Sequence, residues 1–283
     1  MPGNPNLNTM KREMMFVQLL EGLSEGEADV LLLAKDQSLN KKYKGLTANL
    51  IKEAFLDNLV LIFKNQKLTP QNLLMAASVW GSPQQHPVFK GLEEHPEIIK
   101  IENFGAKYHT NAHWHSDVTF EKEPPDATIL YAIDVPSVGG NTLFANQYLA
   151  YDSLEDQLKE KLENLVAVNT NKSVIFLAGA DPSLQKSVNH PVFRTHPETG
   201  KKALFVTQAF VERIEGLTDK ESGEILIKLY SQASHERFRY EHKWHNGDMV
   251  VWDNRCVQHY AVHDHGDKTR TLHRITVSGS KPY

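Results

Sequence analysis

Three side chains with metal-binding chemistry stand in two distant parts of the chain. His115 and Asp117 are separated by one residue, and His259 lies far downstream. Two imidazoles and one carboxylate can bind one face of a divalent iron and leave the opposite positions open, an arrangement typical of non-haem Fe(II) oxygenases. Side chains two residues apart in a strand point to the same side, so we expect His115 and Asp117 to project together. Only the fold can bring His259 to them.

Other histidines compete for both imidazole positions. His113 has the same strand parity as the first ligand, but only His115 has the His-x-Asp spacing. His263 and His265 are alternatives to His259, which we favour because residues 252–255 read as the end of a strand that presents it. The ligand types alone would also suit zinc. Against zinc, the sequence has no cysteine cluster and no His-Glu-x-x-His motif.

Two arginines near the C-terminus indicate an anion-binding pocket. Residues 269–277 alternate as a strand, and Arg270 and Arg274, four apart, share one face. Arginines inside a barrel are costly unless each meets an anion. A guanidinium binds carboxylate or sulfonate oxygens through its planar fork. The pair therefore predicts two bound acids near the metal, unless this strand face is exposed to solvent.

Composition narrows the class of protein. The chain has 283 residues and a formal net charge of −4, with a pI near 6.4, which disfavours a nucleic-acid or anionic-membrane partner. The single cysteine, Cys256, cannot form an intrachain disulfide, which fits a reducing compartment. The sequence shows neither a signal-peptide pattern nor an apolar run of about 18 residues. We expect a soluble cytoplasmic protein that binds neither nucleic acid nor membrane.

Hydrophobic periodicity predicts a mainly β protein with flanking helices. Turn-rich segments separate many short strands, a pattern that favours a jelly roll with the helices packed outside. No composition shift marks a linker between domains. The predicted helices cover residues 10–35, 47–57, 69–80, 147–163 and 218–234. The predicted strands cover residues 59–63, 98–101, 127–133, 203–206, 249–252 and 269–277.

Three segments in combination carry a family resemblance. Residues 114–120, 139–146 and 252–259, continued to Arg270 and Arg274, resemble the taurine dioxygenase (TauD/TfdA) family of Fe(II)- and 2-oxoglutarate-dependent dioxygenases. The resemblance implies a double-stranded β-helix over residues 46–283, preceded by a helical extension over residues 1–45. It also implies an enzyme that uses Fe(II), 2-oxoglutarate and dioxygen, and a homo-oligomeric state, dimer or tetramer.

The resemblance further implies roles for individual residues. His115, Asp117 and His259 would bind iron, and Thr142 and Arg270 would bind the distal carboxylate of 2-oxoglutarate. The iron centre would carry the catalysis, with no separate acid or base. The substrate site would be formed by His86, Phe89, Asn111, Val118, Phe210 and Arg274. Within that set, Arg274 and His86 would hold the anionic group, and Phe210 would form an aromatic wall. Residues 165–190 match the segment that covers the site.

Two departures from taurine-specific members bear on the substrate. Those members have a tyrosine where this chain has Phe89, and an acid that meets the substrate ammonium where this chain has Thr110. Loss of both would leave a buried ammonium poorly compensated. We therefore expect hydroxylation of a small anionic substrate, a sulfonate or an alkyl sulfate, with release of sulfite or sulfate. The alternatives are a carboxylate substrate, such as an aryloxyalkanoate or an amino-acid-derived acid, and a non-catalytic protein that binds a metal or a small acid.

Overall fold

The computed structural model describes residues 47–103 and 113–283. The predicted helix over residues 10–35 lies outside the described residues, as do Thr110 and Asn111. Nothing in the described part of the chain resembles a membrane-crossing segment, because its helices are too short or too polar.

Six helices and fourteen strands make up the described part of the chain. The helices are α1 (Ala48–Asn58), α2 (Pro70–Ala77), α3 (Gln147–Asp152), α4 (Asp156–Leu162), α5 (Lys172–Ala178) and α6 (Asp219–Ala233). The first seven strands are β1 (Val60–Phe63), β2 (Pro83–Gln84), β3 (Ile99–Asn103), β4 (Ala127–Asp134), β5 (Thr142–Asn146), β6 (Val166–Thr170) and β7 (Ser187–Pro191). The remaining strands are β8 (Phe193–Thr195), β9 (Lys202–Leu204), β10 (Val211–Ile214), β11 (Arg239–His242), β12 (Met249–Asp253), β13 (Val257–Ala261) and β14 (Arg270–Val277).

Two antiparallel sheets form the double-stranded β-helix that the sequence predicts. The larger sheet runs β1-β12-β4-β14, and both β2 and β3 pair with β14. The smaller sheet runs β11-β5-β13. All five residues of β12 are buried, as are the first six of β4. Their apolar side chains form the core between the sheets and beneath helices α1 and α2.

A second layer lies against one end of this barrel. Strands β10-β6-β7 and the β8-β9 hairpin pack with α6 around a separate apolar cluster that includes Leu162, Val192 and Leu229. Helix α6 begins at a capping box in which Thr218 and Glu221 satisfy each other's backbone N–H groups, as its sequence signature requires.

Three predicted elements differ from the structure in detail. The predicted helix over residues 147–163 is two helices, because the Ser153 hydroxyl caps α3 by donating to the Leu149 carbonyl and buried Leu154 turns the chain inward. The predicted helix over residues 69–80 ends at Ala77. The predicted strand over residues 203–206 is β9, which ends at Leu204.

Candidate metal centre

An antiparallel bridge joins the two halves of the candidate metal centre. The His115 N–H donates to the His259 carbonyl at 3.1 Å, and the His259 N–H donates to the His115 carbonyl at 2.8 Å. Directly opposed residues in such a pair project their side chains to the same face. The two imidazole centroids consequently lie 4.2 Å apart. Strand β13 thus brings His259 to the segment that carries His115.

The donor atoms of His115, Asp117 and His259 lie within 4.8 Å of one another. The three residues are buried, and Nε2 of His115 is 3.7 Å from Oδ1 of Asp117. Nδ1 of His115 lies 2.7 Å from the carbonyl oxygen of His113. Because a carbonyl only accepts hydrogen bonds, Nδ1 must hold the proton, and the Nε2 lone pair is left toward the other two donors.

The surroundings of Asp117 fix which oxygen faces the centre. The Thr128 hydroxyl, on β4, donates to Asp117 Oδ2 at 2.8 Å. Oδ1 is therefore the oxygen turned toward His115 and toward Nη2 of Arg274, which is 3.5 Å away. Burial alone would raise the pKa of Asp117, but Arg274, the two imidazoles and the Thr128 hydrogen bond together hold it below its usual value.

The backbone at Asp117 is a turn, whereas the His-x-Asp spacing predicts that His115 and Asp117 lie in one strand. Val118 has φ of 57°, a left-handed conformation that is costly for a β-branched residue. The Asn254 side chain compensates by accepting from the Asp117 N–H at 2.6 Å and donating to its carbonyl at 3.0 Å. The shared direction of the His115 and Asp117 side chains therefore comes from this turn and its asparagine clamp, and not from strand alternation.

Both imidazoles are in the neutral form that binds metals at neutral pH. Burial lowers the pKa of His259 to about 3, and burial also lowers the pKa of His115. Trp252 packs against the His259 ring at a centroid distance of 4.6 Å. Two neutral imidazoles and one carboxylate on one side of a buried space suit a divalent iron.

The competing histidines take other places. His113 is exposed, and its carbonyl oxygen contacts Nδ1 of His115. His263 and His265 pack against each other at a centroid distance of 6.2 Å. Among the described residues, neither belongs to a group whose donor atoms converge as those of His115, Asp117 and His259 do.

A second group with converging donor atoms consists of His196, Asp253 and Cys256. Both oxygens of Asp253 accept hydrogen bonds from the Arg255 guanidinium, at 2.8 and 2.7 Å, and His196 Nε2 lies 3.0 Å from the carboxylate. Burial raises the pKa of the Cys256 thiol well above its usual value, which opposes the thiolate that a metal would need. This group is a filled ion-pair network that holds the turn between β12 and β13.

A narrow cavity extends from the two imidazoles to Arg270. His115 and His259 line one end of it, Arg270 and Thr142 line the other, and Leu130 is among the apolar residues that complete its walls. The Arg270 Nη2 donates to Thr142 Oγ1 at 3.2 Å and its Nε donates to the Gly140 carbonyl at 2.8 Å. Burial lowers the pKa of Arg270 to about 10, so the guanidinium is still a cation at neutral pH.

A second cavity, of about 360 Å³, opens on the other side of the centre. His115 and Arg274 line both cavities, so the candidate metal position lies between them. The larger cavity holds His86, Phe89, Val118 and Phe210 from the predicted substrate set. It is also lined by Phe120, and by Ser173, Val174 and Leu177 from the segment that the resemblance places over the site.

His86 and Arg274 can act as hydrogen-bond donors in this cavity, which His113 and Gln208 also line. His86 Nδ1 accepts from the backbone N–H groups of Val88 and Phe89, at 3.1 and 3.0 Å. Burial and the nearby Arg274 lower the pKa of His86 to about 3, so its single proton is on Nε2. Among the described residues, Nε and Nη2 of Arg274 are buried without a hydrogen-bond partner, and the one carboxylate near Nη2 is that of Asp117, at 3.5 Å. Both groups suit an anion.

The comparisons with known proteins agree with this geometry. The family model "Taurine catabolism dioxygenase TauD, TfdA family" matches residues 34–276. The chain belongs to this family. Residues 1–41 also match a family of unknown function, DUF6433.

Three known proteins illustrate what this chain is similar to. The chain is 33% identical to the alkylsulfatase of Acinetobacter baylyi, over 85% of this chain and 80% of that protein. It is 37% identical to the alpha-ketoglutarate-dependent 2,4-dichlorophenoxyacetate dioxygenase of Cupriavidus pinatubonensis, over 59% of this chain and 60% of that protein. A crystal structure of a taurine dioxygenase from Burkholderia xenovorans matches with a TM-score of 0.73 at 33% identity, over 83% of this chain and 81% of that one.

This TauD/TfdA family member is a 2-oxoglutarate-dependent non-haem iron dioxygenase. Its cofactor is Fe(II), and 2-oxoglutarate and dioxygen are co-substrates. The residues present fit these groups, because a two-imidazole, one-carboxylate donor set adjoins a cavity that ends at a buried guanidinium. The predictions of fold, enzyme class and cofactors are confirmed.

Several residues that shape the site were not singled out from the sequence. Thr128, Phe120 and Trp244 act through contacts between distant segments, which no local pattern reveals. Asn254 had a signal, since it stands inside the 252–255 segment that carries part of the family resemblance, but its hydrogen bonds to Asp117 needed the structure.

Proposed function

We propose that His115, Asp117 and His259 bind the iron, and that Thr142 and Arg270 bind the distal carboxylate of 2-oxoglutarate. The observation that carries the ligand assignment is the backbone bridge between His115 and His259, which places both imidazoles beside Asp117 Oδ1. The narrow cavity between these ligands and Arg270 supports the second assignment. One end of 2-oxoglutarate binds the metal and the other end is a carboxylate, so it needs a space with metal ligands at one end and a cation at the other.

The substrate that this site suits best is an organic sulfate or sulfonate with an apolar chain. Arg274 and the His86 Nε2–H supply two donors for the anionic group, and Phe89, Phe120 and Phe210 supply apolar contact for the chain. Among the described residues that line the cavity, Asp117 is the one carboxylate. Residues 104–112, which precede the site, contain no Asp or Glu. Among the described residues, a substrate ammonium would therefore find no carboxylate other than the proposed metal ligand.

The residues of the site contribute to the reaction by positioning the substrate. Iron, 2-oxoglutarate and dioxygen supply the oxidation that hydroxylates a substrate carbon, with succinate and carbon dioxide as products. Arg274 and His86 hold the anion so that the adjacent C–H group faces the metal ligands, a positioning effect that lowers the barrier. Hydroxylation of the carbon bound to a sulfate-ester oxygen gives an unstable product that breaks its C–O bond to yield an aldehyde and sulfate.

A matched substrate panel tests the proposal. Enzyme with Fe(II) and 2-oxoglutarate is incubated with hexyl sulfate, hexanesulfonate, taurine and phenoxyacetate, and succinate, sulfate and sulfite are measured. We expect substrate-dependent succinate with hexyl sulfate or hexanesulfonate and little with taurine. The Arg274→Met variant should lose this activity while it still binds iron. Taurine turnover above that of hexanesulfonate would contradict the apolar-chain assignment.

A carboxylate substrate is the second candidate. The similarity to the 2,4-dichlorophenoxyacetate dioxygenase and the three phenylalanines around the cavity favour an aryloxyalkanoate. Turnover of phenoxyacetate without sulfate-ester turnover would select it. Two further predictions are a cytoplasmic location and a dimer or tetramer, the latter measurable by light scattering of the purified protein. The division into an extension over residues 1–45 and an oxygenase domain over residues 46–283 also stays a prediction.

A further inference from the structure

Trp244 lies behind the 2-oxoglutarate end of the site. It stands in the connection between β11 and β12 and is 5% exposed. Its indole Nε1–H donates to Thr142 Oγ1 at 3.0 Å, and the Arg270 guanidinium lies 5.9 Å from the centre of its ring. Trp244 is absent from the lining of both cavities described above, so it contacts the site through Thr142 and Arg270.

The two donors on Thr142 decide what its hydroxyl can do. A threonine hydroxyl has two lone pairs that accept and one hydrogen that donates. Trp244 Nε1 occupies one lone pair at 3.0 Å, and Arg270 Nη2 occupies the other at 3.2 Å. With both lone pairs engaged, the hydroxyl can add a partner only by donating. No acceptor for this hydrogen is found among the residues that the structure describes.

We propose that Trp244 is a positioning residue that makes Thr142 a hydrogen-bond donor to the distal carboxylate of 2-oxoglutarate. The proposal rests on the assignment of Thr142 and Arg270 to that carboxylate. Without the indole N–H, one lone pair of the Thr142 hydroxyl would have no donor, and the hydroxyl could rotate away from the orientation that points its hydrogen at the co-substrate. With it, the hydroxyl hydrogen is directed before the co-substrate arrives, which reduces the ordering cost of binding.

The packing around Trp244 holds the indole in this orientation. The ring of His242 meets it edge-on at a centroid distance of 4.5 Å and an interplanar angle of 90°. His242 Nε2 is in turn 3.2 Å from Oδ2 of buried Asp248, which also accepts from Lys64 Nζ at 2.9 Å. An indole packed against a buried imidazole that lies beside a carboxylate keeps its N–H directed at Thr142. Replacement by phenylalanine would keep much of the ring packing and remove the donor.

The test measures binding without turnover. Mn(II)-loaded wild type, Trp244→Phe and Thr142→Val are titrated by calorimetry with N-oxalylglycine, which has the distal carboxylate, and with oxalate, which lacks it. We expect Trp244→Phe to reduce the affinity for N-oxalylglycine by about five- to tenfold, which is the effect of one lost hydrogen bond to a buried group. Its oxalate affinity should stay within twofold of wild type, which also shows that the variant is folded around its metal.

A double-mutant comparison isolates the route through Thr142. In the Thr142→Val background, Trp244→Phe should cause no further loss of N-oxalylglycine affinity, because the hydroxyl that it orients is gone. Thr142→Ser should retain most of the affinity. Trp80→Phe is the matched control, because it removes an indole N–H that has no partner among the described residues. It should change the affinity for neither ligand.

Four results would overturn the inference. An equal loss of affinity for oxalate and for N-oxalylglycine in Trp244→Phe would show a general structural role. An undiminished effect of Trp244→Phe in the Thr142→Val background would show a route that does not pass through the hydroxyl. Unchanged N-oxalylglycine affinity in Trp244→Phe alone would refute the positioning role but leave the proposed function intact. Unchanged affinity in Thr142→Val would instead refute the underlying assignment of the carboxylate site.

Discussion

Replacement of Asn254 by alanine tests how the metal-ligand segment is held in place. The fully buried Asn254 side chain makes three hydrogen bonds, accepting from the Asp117 N–H and donating to the carbonyls of Asp117 and Pro125. Asn254→Ala leaves these three backbone groups buried and unpaired, at a cost of about 1–3 kcal/mol each. Because water can enter part of the vacated space, we expect the free energy of unfolding to fall by about 3 kcal/mol or more.

The same substitution should weaken iron binding. Without the clamp, the left-handed turn at Val118 can relax, and the Asp117 carboxylate moves away from the imidazoles. Loss of a residue that orients a metal ligand commonly reduces metal affinity by about 10- to 100-fold. Urea unfolding of the metal-free protein measures the first effect, and anaerobic competition with a chelator measures the second.

Asn171→Ala provides the matched control for this experiment. Asn171 is equally buried and joins two backbone groups, donating to the Leu184 carbonyl and accepting from the Lys186 N–H. Its replacement should reduce stability by about 2 kcal/mol and leave iron affinity unchanged. Iron affinity of Asn254→Ala within twofold of wild type would refute the clamp.

Three further predictions concern charge. The pKa of His86 is about 3 in the folded protein and 6.5 ordinarily, so the unfolded chain takes up the proton first and stability falls as pH drops below about 6.5. Between pH 7 and pH 5 this costs up to about 2 kcal/mol, and His86→Asn should remove that part of the slope in urea titrations of metal-free protein. Arg270→Ala should raise the 2-oxoglutarate concentration needed for half-maximal succinate formation at least about 30-fold, equivalent to 2–5 kcal/mol, and an unchanged requirement would exclude that role. Asp253→Asn should reduce the free energy of unfolding by about 3 kcal/mol, because buried Arg255 loses its buried charged partner and keeps the partly exposed Glu198 carboxylate at 2.7 Å; unchanged stability would contradict the ion-pair interpretation.

Local sequence spacing identified the metal-binding and anion-binding residues of the site but not the residues that hold them in place. The His-x-Asp pair and the alternation of Arg270 and Arg274 could be read directly, because ligand types and strand period are local properties. His259 could be favoured over His263 and His265 because residues 252–255 read as the end of a strand, but the backbone bridge that joins it to His115 depends on the fold. The roles of Thr128 and Asn254 depend on where β4 and the turn after β12 lie relative to Asp117, and that information exists only in the fold.

Some helix boundaries likewise follow from the local sequence, whereas others depend on tertiary contacts. The starts of α1 and α2 follow from the Thr47 and Thr69 caps, with Pro70 at the first turn of α2. The break between α3 and α4 could not be predicted, because residues 147–163 keep a helical apolar pattern across it. It arises where Leu154 is drawn into the core against α6, a tertiary contact that outweighs local propensity.

The most direct test of the account is the position of iron in an anaerobic crystal of the protein with Fe(II) and N-oxalylglycine, located by anomalous scattering at the iron edge. The account predicts one strong peak within about 2.0–2.3 Å of donor atoms of His115, Asp117 and His259. An iron peak at His196, Asp253 and Cys256, or at His263 and His265, with none beside His259, would contradict it.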